Sequence, residues 1–195
     1  TTTTIAIDPT ALSGVSVAAL YTSLTTAAAS SGSGGSGTGT TEVKITKKDQ
    51  IVFILPTDVP ISQVETALAA TLTPPCNATT ACTVLYLSSS AGRRLQSGSG
   101  SFEVTRELGE GSTGSLTAST VDTTALAGNL GVASSALGTV SATVTSVEAE
   151  VVTVTEGTAA SAGAQSAPAS QQAAFTPSAL ASALGVNAAA FTTTT

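Results

Sequence analysis

The chain has 195 residues, of which 9% are charged and 3% aromatic, with a formal net charge of −6, only 6 basic residues and no histidine. The acidic balance and the absence of a basic stripe exclude recognition of a phosphate backbone, and the missing imidazole excludes Ser–His–Asp and Cys–His catalysis. Hydrophobic residues make up 42%, much of it alanine, so small side chains must build a thin core; low charge with a mean hydropathy of +0.36 argues against wholesale disorder.

The first residue is Thr1 rather than methionine, which reads as a processed product or an excerpt of a longer protein. Residues 1–29 form an apolar N-terminal arm carrying Ile5, Ile7, Val15, Val17 and Leu20. Residues 30–41, rich in Gly, Ser and Thr, have the composition of a flexible linker. The structured domain is expected over 42–156. In it, Val43 and Ile45 alternate with polar residues, Lys47-Lys48-Asp49 reads as a turn, and Ile51–Leu55 has the β-branched, aromatic character of a strand. Ile61, Val64, Leu68 and Leu72 recur at helical spacing, with Ser62 and Glu65 as a capping box and Ile61 as the staple residue. Pro74-Pro75 stops that helix.

Cys76 and Cys82 bracket Asn77-Ala78-Thr79, an N-glycosylation acceptor. Neither histidine nor a third cysteine is available for zinc, so a local disulfide in a secreted, oxidising setting is the better reading. Thr83–Leu87 is the next strand, and 88–100, containing Arg93-Arg94, a polar hairpin loop. Phe102, Val104, Arg106 and Leu108 then alternate with Glu103, Thr105 and Glu107, as a strand with one wet face does. Asp122 caps a short helix with Ala125, Leu126 and Leu130, ended by Gly131. Val140–Thr155 closes the domain as a strand, with a slip in phase between Val144 and Val147 that predicts a bulge. Residues 157–174, rich in Ala, Ser and Gln, form a second linker, and 175–195 a C-terminal arm with Phe175, Leu180, Leu184 and Phe191.

The order strand, helix, strand, strand, helix, strand predicts an α+β, two-layer domain of the ferredoxin-like βαββαβ type, with flexible N- and C-terminal arms. Its helices cover one sheet face, yet Ile51–Leu55 and Val84–Leu87 are apolar on both, so an arm or a neighbouring molecule is expected to cover the other. Asp8-Pro9-Thr10-Ala11-Leu12, Asp122-Thr123-Thr124-Ala125-Leu126 and Thr176-Pro177-Ser178-Ala179-Leu180 repeat one helix start, and the last two continue to Leu130-Gly131-Val132 and Leu184-Gly185-Val186. Glu148 and Glu150 share a strand face and read as solvated rather than as a calcium or acid–base pair. Apolar stretches are interrupted by Thr, Ser and Gly before they reach membrane-spanning length.

In composition and element order over roughly 42–156, with the Arg93-Arg94-Leu95 hairpin and the Ala-Leu…Leu-Gly-Val helices, the chain resembles Thr/Ala/Ser/Val-rich surface and fibre glycoproteins of algae and other protists. That resemblance implies a structural role and extensive glycosylation. The domain also resembles SEA domains of extracellular glycoproteins, some of which cleave themselves at a Gly-Ser before the third strand; Gly100-Ser101 stands there, although Glu103 departs from the family's aliphatic run.

The resulting expectation is a non-enzymatic extracellular subunit, without cofactor or metal, that partners itself head to tail through its arms and carries covalent glycans. O-linked sugar is expected on Thr1, Thr2, Thr3, Thr4, Thr38, Thr40, Thr41, Thr192, Thr193, Thr194 and Thr195. The alternative is a SEA-like adhesion or carbohydrate-binding module, against which the scarcity of aromatic residues counts.

Overall fold

The computed structural model describes residues 2–31, 39–76, 82–89, 98–112, 116–155 and 175–194. The chain is mixed α+β. It divides into two compact units, one of residues 1–46, 108–116 and 146–195, the other of 47–107 and 117–145. Eight strands are described: β1 (Thr2–Ile7), β2 (Gly39–Ile54), β3 (Leu72–Thr73), β4 (Cys82–Ser89), β5 (Ser99–Leu108), β6 (Thr120–Val121), β7 (Ser141–Thr155) and β8 (Phe191–Thr194). The α-helices are α1 (Val17–Ser31), α2 (Ile61–Thr71), α3 (Thr123–Leu130) and α4 (Pro177–Leu184). β3 pairs with β6, and the other six strands hydrogen-bond in the order β4-β5-β2-β7-β1-β8, with β1–β7, β1–β8 and β4–β5 antiparallel.

Within 47–107 and 117–145 the main elements run β2, α2, β4, β5, α3, β7, and β2 and β5 are the inner strands. Alternation builds the core here. Ile51 and Phe53 of β2 and Phe102 and Val104 of β5 point inward, where Val64 and Leu68 of α2 and Leu126 and Leu130 of α3 meet them. Phe102 stacks on Phe53 with ring centroids 5.2 Å apart and meets Tyr86 at 5.4 Å.

The unit of 1–46, 108–116 and 146–195, outer in sequence, repeats the same order and shares β2 and β7: β1, α1, β2, then β7, α4, β8, hydrogen-bonded as β2-β7-β1-β8. The repeated helix start is a real structural repeat. The Asp122 carboxylate accepts from the Thr124 and Ala125 N–H groups, and Thr176 Oγ1 from Ala179 N–H. Each such cap contributes about 1 kcal/mol. At the far ends Gly131 and Gly185 both have φ +69°, and the following Val132 and Val186 donate back to Ala127 and Ala181. A 3₁₀ turn and a strand follow in both copies.

Four expectations are corrected. Of the arms expected over 1–29 and 175–195, the described residues 2–29 and 175–194 are strands and helices packed in the outer unit, not flexible arms, because Ile5, Val17, Leu20, Leu24, Phe175 and Leu180 bury together what none could bury alone. The 42–156 domain is accordingly split, since the first half of β2 and the second half of β7 belong with those terminal elements. Lys47-Lys48-Asp49 is mid-strand rather than a turn. The capping box is absent: α2 starts at Ile61 after Pro60 with no side-chain cap, and the Glu65 carboxylate instead accepts from Tyr86 N–H at 2.9 Å. The phase slip in β7 is present as a switch in burial, from half-buried Ala142, Val144 and Ser146 to buried Val147, Ala149 and Val151.

Gly100 lies in β5 where a Cβ would sit 2.5 Å from the Leu55 side chain. Gly100→Ala is therefore expected to cost about 1–3 kcal/mol through overpacking, read as a lower urea midpoint at unchanged slope.

Candidate functional site

Cys76 and Cys82 are disulfide-bonded, with Cα atoms 5.4 Å apart. The bond ties the end of the α2 segment to the first residue of β4 and contributes about 2 kcal/mol for so short a loop. Asn77 lies outside the described residues, as do Thr1, Thr38, Thr195 and Arg93-Arg94. Thr2, Thr4, Thr40, Thr41, Thr192 and Thr194 are exposed, and Thr193 is half-buried. Thr3 is buried opposite Val151, so its hydroxyl is closed to a glycosyltransferase in the folded chain.

The alternation of β5 carries Arg106 inward with Phe102 and Val104, and that of β2 carries Lys47 and Asp49 inward with Ile51. The three charges gather within the inner unit. Lys47 Nζ lies 3.2 Å from Asp49 Oδ2, and their side chains are 4% and 0% exposed. Lys47 also donates to the Thr117 carbonyl, Ser119 Oγ donates to Asp49 Oδ2, and Arg106 Nη2 donates to the Pro74 carbonyl. Asp49 Oδ1 and Arg106 Nε and Nη1 have no hydrogen-bond partner among the described residues. Burial pushes Lys47 and Arg106 below their usual values, and Asp49 opposes this at both. One carboxylate so serves two buried cations. Arg106 is the Cα partner of Cys82 and bonds Pro74, so it also fastens the base of the disulfide loop. The sequence placed Arg106 on the inner face but gave no sign of the cluster, whose members bond Pro74, Thr117 and Ser119 across separations of 32 and 70 residues.

The residues proposed for assembly are drawn inside the outer unit: Ile5, Ile7, Val17, Leu20, Phe175, Leu180 and Phe191 are buried, and Val15 and Leu184 half-buried. They cover their own chain. A groove of about 400 Å³ between α1 and α4 is lined by small or apolar side chains such as Thr22, Thr26, Ala179 and Ala183, none of which ionises.

The exposed large apolar side chains are elsewhere. Leu85 is 57% and Leu87 47% exposed on β4, and Val154 is exposed on β7. β4 and β8 are the outermost strands of the six, each with one strand neighbour among the described residues. The wet face of β5 and β2 carries a Lys48–Glu103 ion pair at 3.4 Å and a Gln50–Ser101 hydrogen bond at 2.8 Å. Gly100 and Ser101 pair with Ser89 and Ser88 beside a register shift between Tyr86 and Ser88, and the loop before them, 90–97, lies outside the described residues. Glu148 and Glu150 are exposed opposite Ala6 and Thr4. No helix among the described residues is long and apolar enough to cross a membrane.

No protein-family model, curated protein or solved structure matches the chain.

Proposed function

We propose that the chain is a non-catalytic structural subunit of an extracellular, glycosylated filament or surface layer, built from two ferredoxin-like units and self-associating head to tail. The observation that carries this reading is the exposure of Leu85 and Leu87 on β4, an edge strand of the sheet order, whose other edge is the unlike strand β8. Two unlike edges make a heterologous contact, which propagates unless its rotation happens to close. The Cys76–Cys82 bond supports an oxidising compartment. The terminal segments contribute to assembly as strands already in the sheet, not as arms released from it.

Phe53, Phe102, Phe175 and Phe191 are all buried, which leaves few aromatic rings for a sugar platform and disfavours the carbohydrate-binding alternative. Electron microscopy of the secreted full chain tests the reading: long regular fibres are expected. Dispersed monomers at every concentration would sink it in favour of the adhesion module. Intact mass before and after enzymatic deglycosylation is expected to show one N-glycan, at Asn77, and a bare Asn77 would remove the glycoprotein part.

A further inference from the structure

The six main strands form three nested pairs. β4 and β5 pair innermost, β2 and β7 enclose them in sequence, and β1 and β8 enclose those. At each junction the later strand of one pair lies beside the earlier strand of the next: β5 beside β2, then β7 beside β1. The order ends on β8, a later strand, and begins on β4, an earlier one. We propose that β8 of one copy pairs antiparallel with β4 of a second copy, repeating between molecules the junction that the chain already makes twice, with the backbones of Thr193 and Val84 exchanging the central two hydrogen bonds. This rests on the self-association reading above and specifies its interface.

The backbone phase selects those two residues. In an antiparallel ladder, opposed residues alternate between exchanging two bonds and exchanging none. Tyr86 N–H bonds Glu65 rather than its opposite number Phe102, so Tyr86 is a non-bonded position, and two residues earlier so is Val84. The N–H and C=O of Val84 therefore point away from β5. On β8, Asp8 N–H donates to the Ala190 carbonyl. Counting from that pair along the register, Thr192 bonds Ala6, while Thr193, opposite Ile5, points its N–H and C=O away from β1.

Side chains fall into phase with the same register. Val84 and Thr193 are both half-buried, on the inner side of their strands. Leu85 then lies opposite Thr192, both on exposed sides, where the leucine gains cover. Glu65 occupies the edge at Tyr86 and limits the pairing to Thr83–Leu85 of β4 opposite Thr194–Thr192 of β8, while Phe191, opposite Tyr86, spends its own N–H on the Ala188 carbonyl. An open edge with exposed leucines is a surface that strands add to. A second copy is the occupant because its β8 meets the same three conditions that the internal junctions meet: direction, backbone phase and side-chain side.

The test uses the full secreted chain. Val84→Pro and Thr193→Pro each remove an outward N–H, a change that an edge strand tolerates. Leu85→Lys with Leu87→Lys charges two exposed positions without touching the core. Each is expected to raise the concentration needed for fibres by about tenfold or more, through lost backbone bonds or added charge, with the circular dichroism spectrum unchanged. Mixing Val84→Pro with Thr193→Pro is the sharper arm. One retains a working β8 and the other a working β4, so at concentrations below the raised threshold the mixture should stop at a 1:1 dimer while each alone stays monomeric. Fibres indifferent to all three variants would overturn this interface and leave the self-association reading standing. A wild-type chain that halts at a closed dimer would mean like edges pair, and would overturn it too. A wild-type chain monomeric at every concentration would remove both.

Discussion

Replacing Asp49 by alanine is expected to cost about 3–5 kcal/mol of folding stability, because it strands Lys47 and Arg106 as unpaired cations inside the fold. Asp49 Oδ2 is the acceptor for Lys47 Nζ and Ser119 Oγ, and its charge opposes the burial penalty at both cations. The folded-state pKa of Lys47 already lies below the usual 10.5. Between that lowered value and 10.5 the unfolded chain binds more protons than the folded one, so this group's contribution to stability rises with pH there. Removing Asp49 takes away the two influences that raise the Lys47 pKa, which lowers it further and widens the window. Urea unfolding of Asp49→Ala should show the large loss near pH 7 and partial recovery as pH approaches 10. A loss under 1 kcal/mol at pH 7, or no steeper alkaline rise than wild type, would show that the cations do not depend on Asp49. Replacing Lys47, Asp49 and Arg106 together by Met, Leu and Met should cost less than Asp49→Ala alone, since no charge is then left unpaired.

That cluster marks where sequence reasoning succeeded and where it stopped. The inner face of β5 was legible because alternation is a local property: Phe102, Val104, Arg106 and Leu108 fall at every second residue and all are buried. The helix starts at Asp122 and Thr176 and the stops at Gly131 and Gly185 were legible for the same reason, since a cap bonds groups two to five residues away. The continuity of β2 was not. Three adjacent polar residues, Lys47-Lys48-Asp49, have the composition of a turn, and only a partner segment distant in sequence, Thr117–Ser119, makes two of them acceptable inside. In the terminal segments the pattern was legible and the stiffness was not. Val17, Leu20, Leu24 and Ala28 sit at helical spacing behind Ser16, whose hydroxyl caps Ala19 N–H, and all four are buried. An abundance of Ala, Thr and Ser disguised a helix whose apolar stripe was complete. The nesting of one unit between the second and third strands of another was beyond reach, because no local signal distinguishes a long strand serving two units from a strand serving one.

Phe102→Ala is expected to cost about 3–5 kcal/mol. With 3% aromatic residues in the chain, leucine, isoleucine and valine fill most of the interior, and each large ring carries an unusual share of the burial. Phe102 is fully buried at the centre of β5, an inner strand of its unit, with Phe53 stacked on one side at 5.2 Å and Tyr86 tilted on the other at 5.4 Å. Its removal loses the transfer free energy of the ring and two aromatic contacts, each worth about 1 kcal/mol. The space left is bordered by Phe53 and Tyr86, side chains too stiff to collapse into it as a methionine would. Phe102→Leu keeps most of the volume and should lose roughly half as much. Equilibrium unfolding in urea followed by Tyr86 and Tyr21 fluorescence would check both. Equal losses for the two variants would mean that ring stacking, not filled volume, holds this core. A loss under 1 kcal/mol for Phe102→Ala would mean that the surrounding leucines and valines repack, and that the interior is more plastic than its stacked rings suggest.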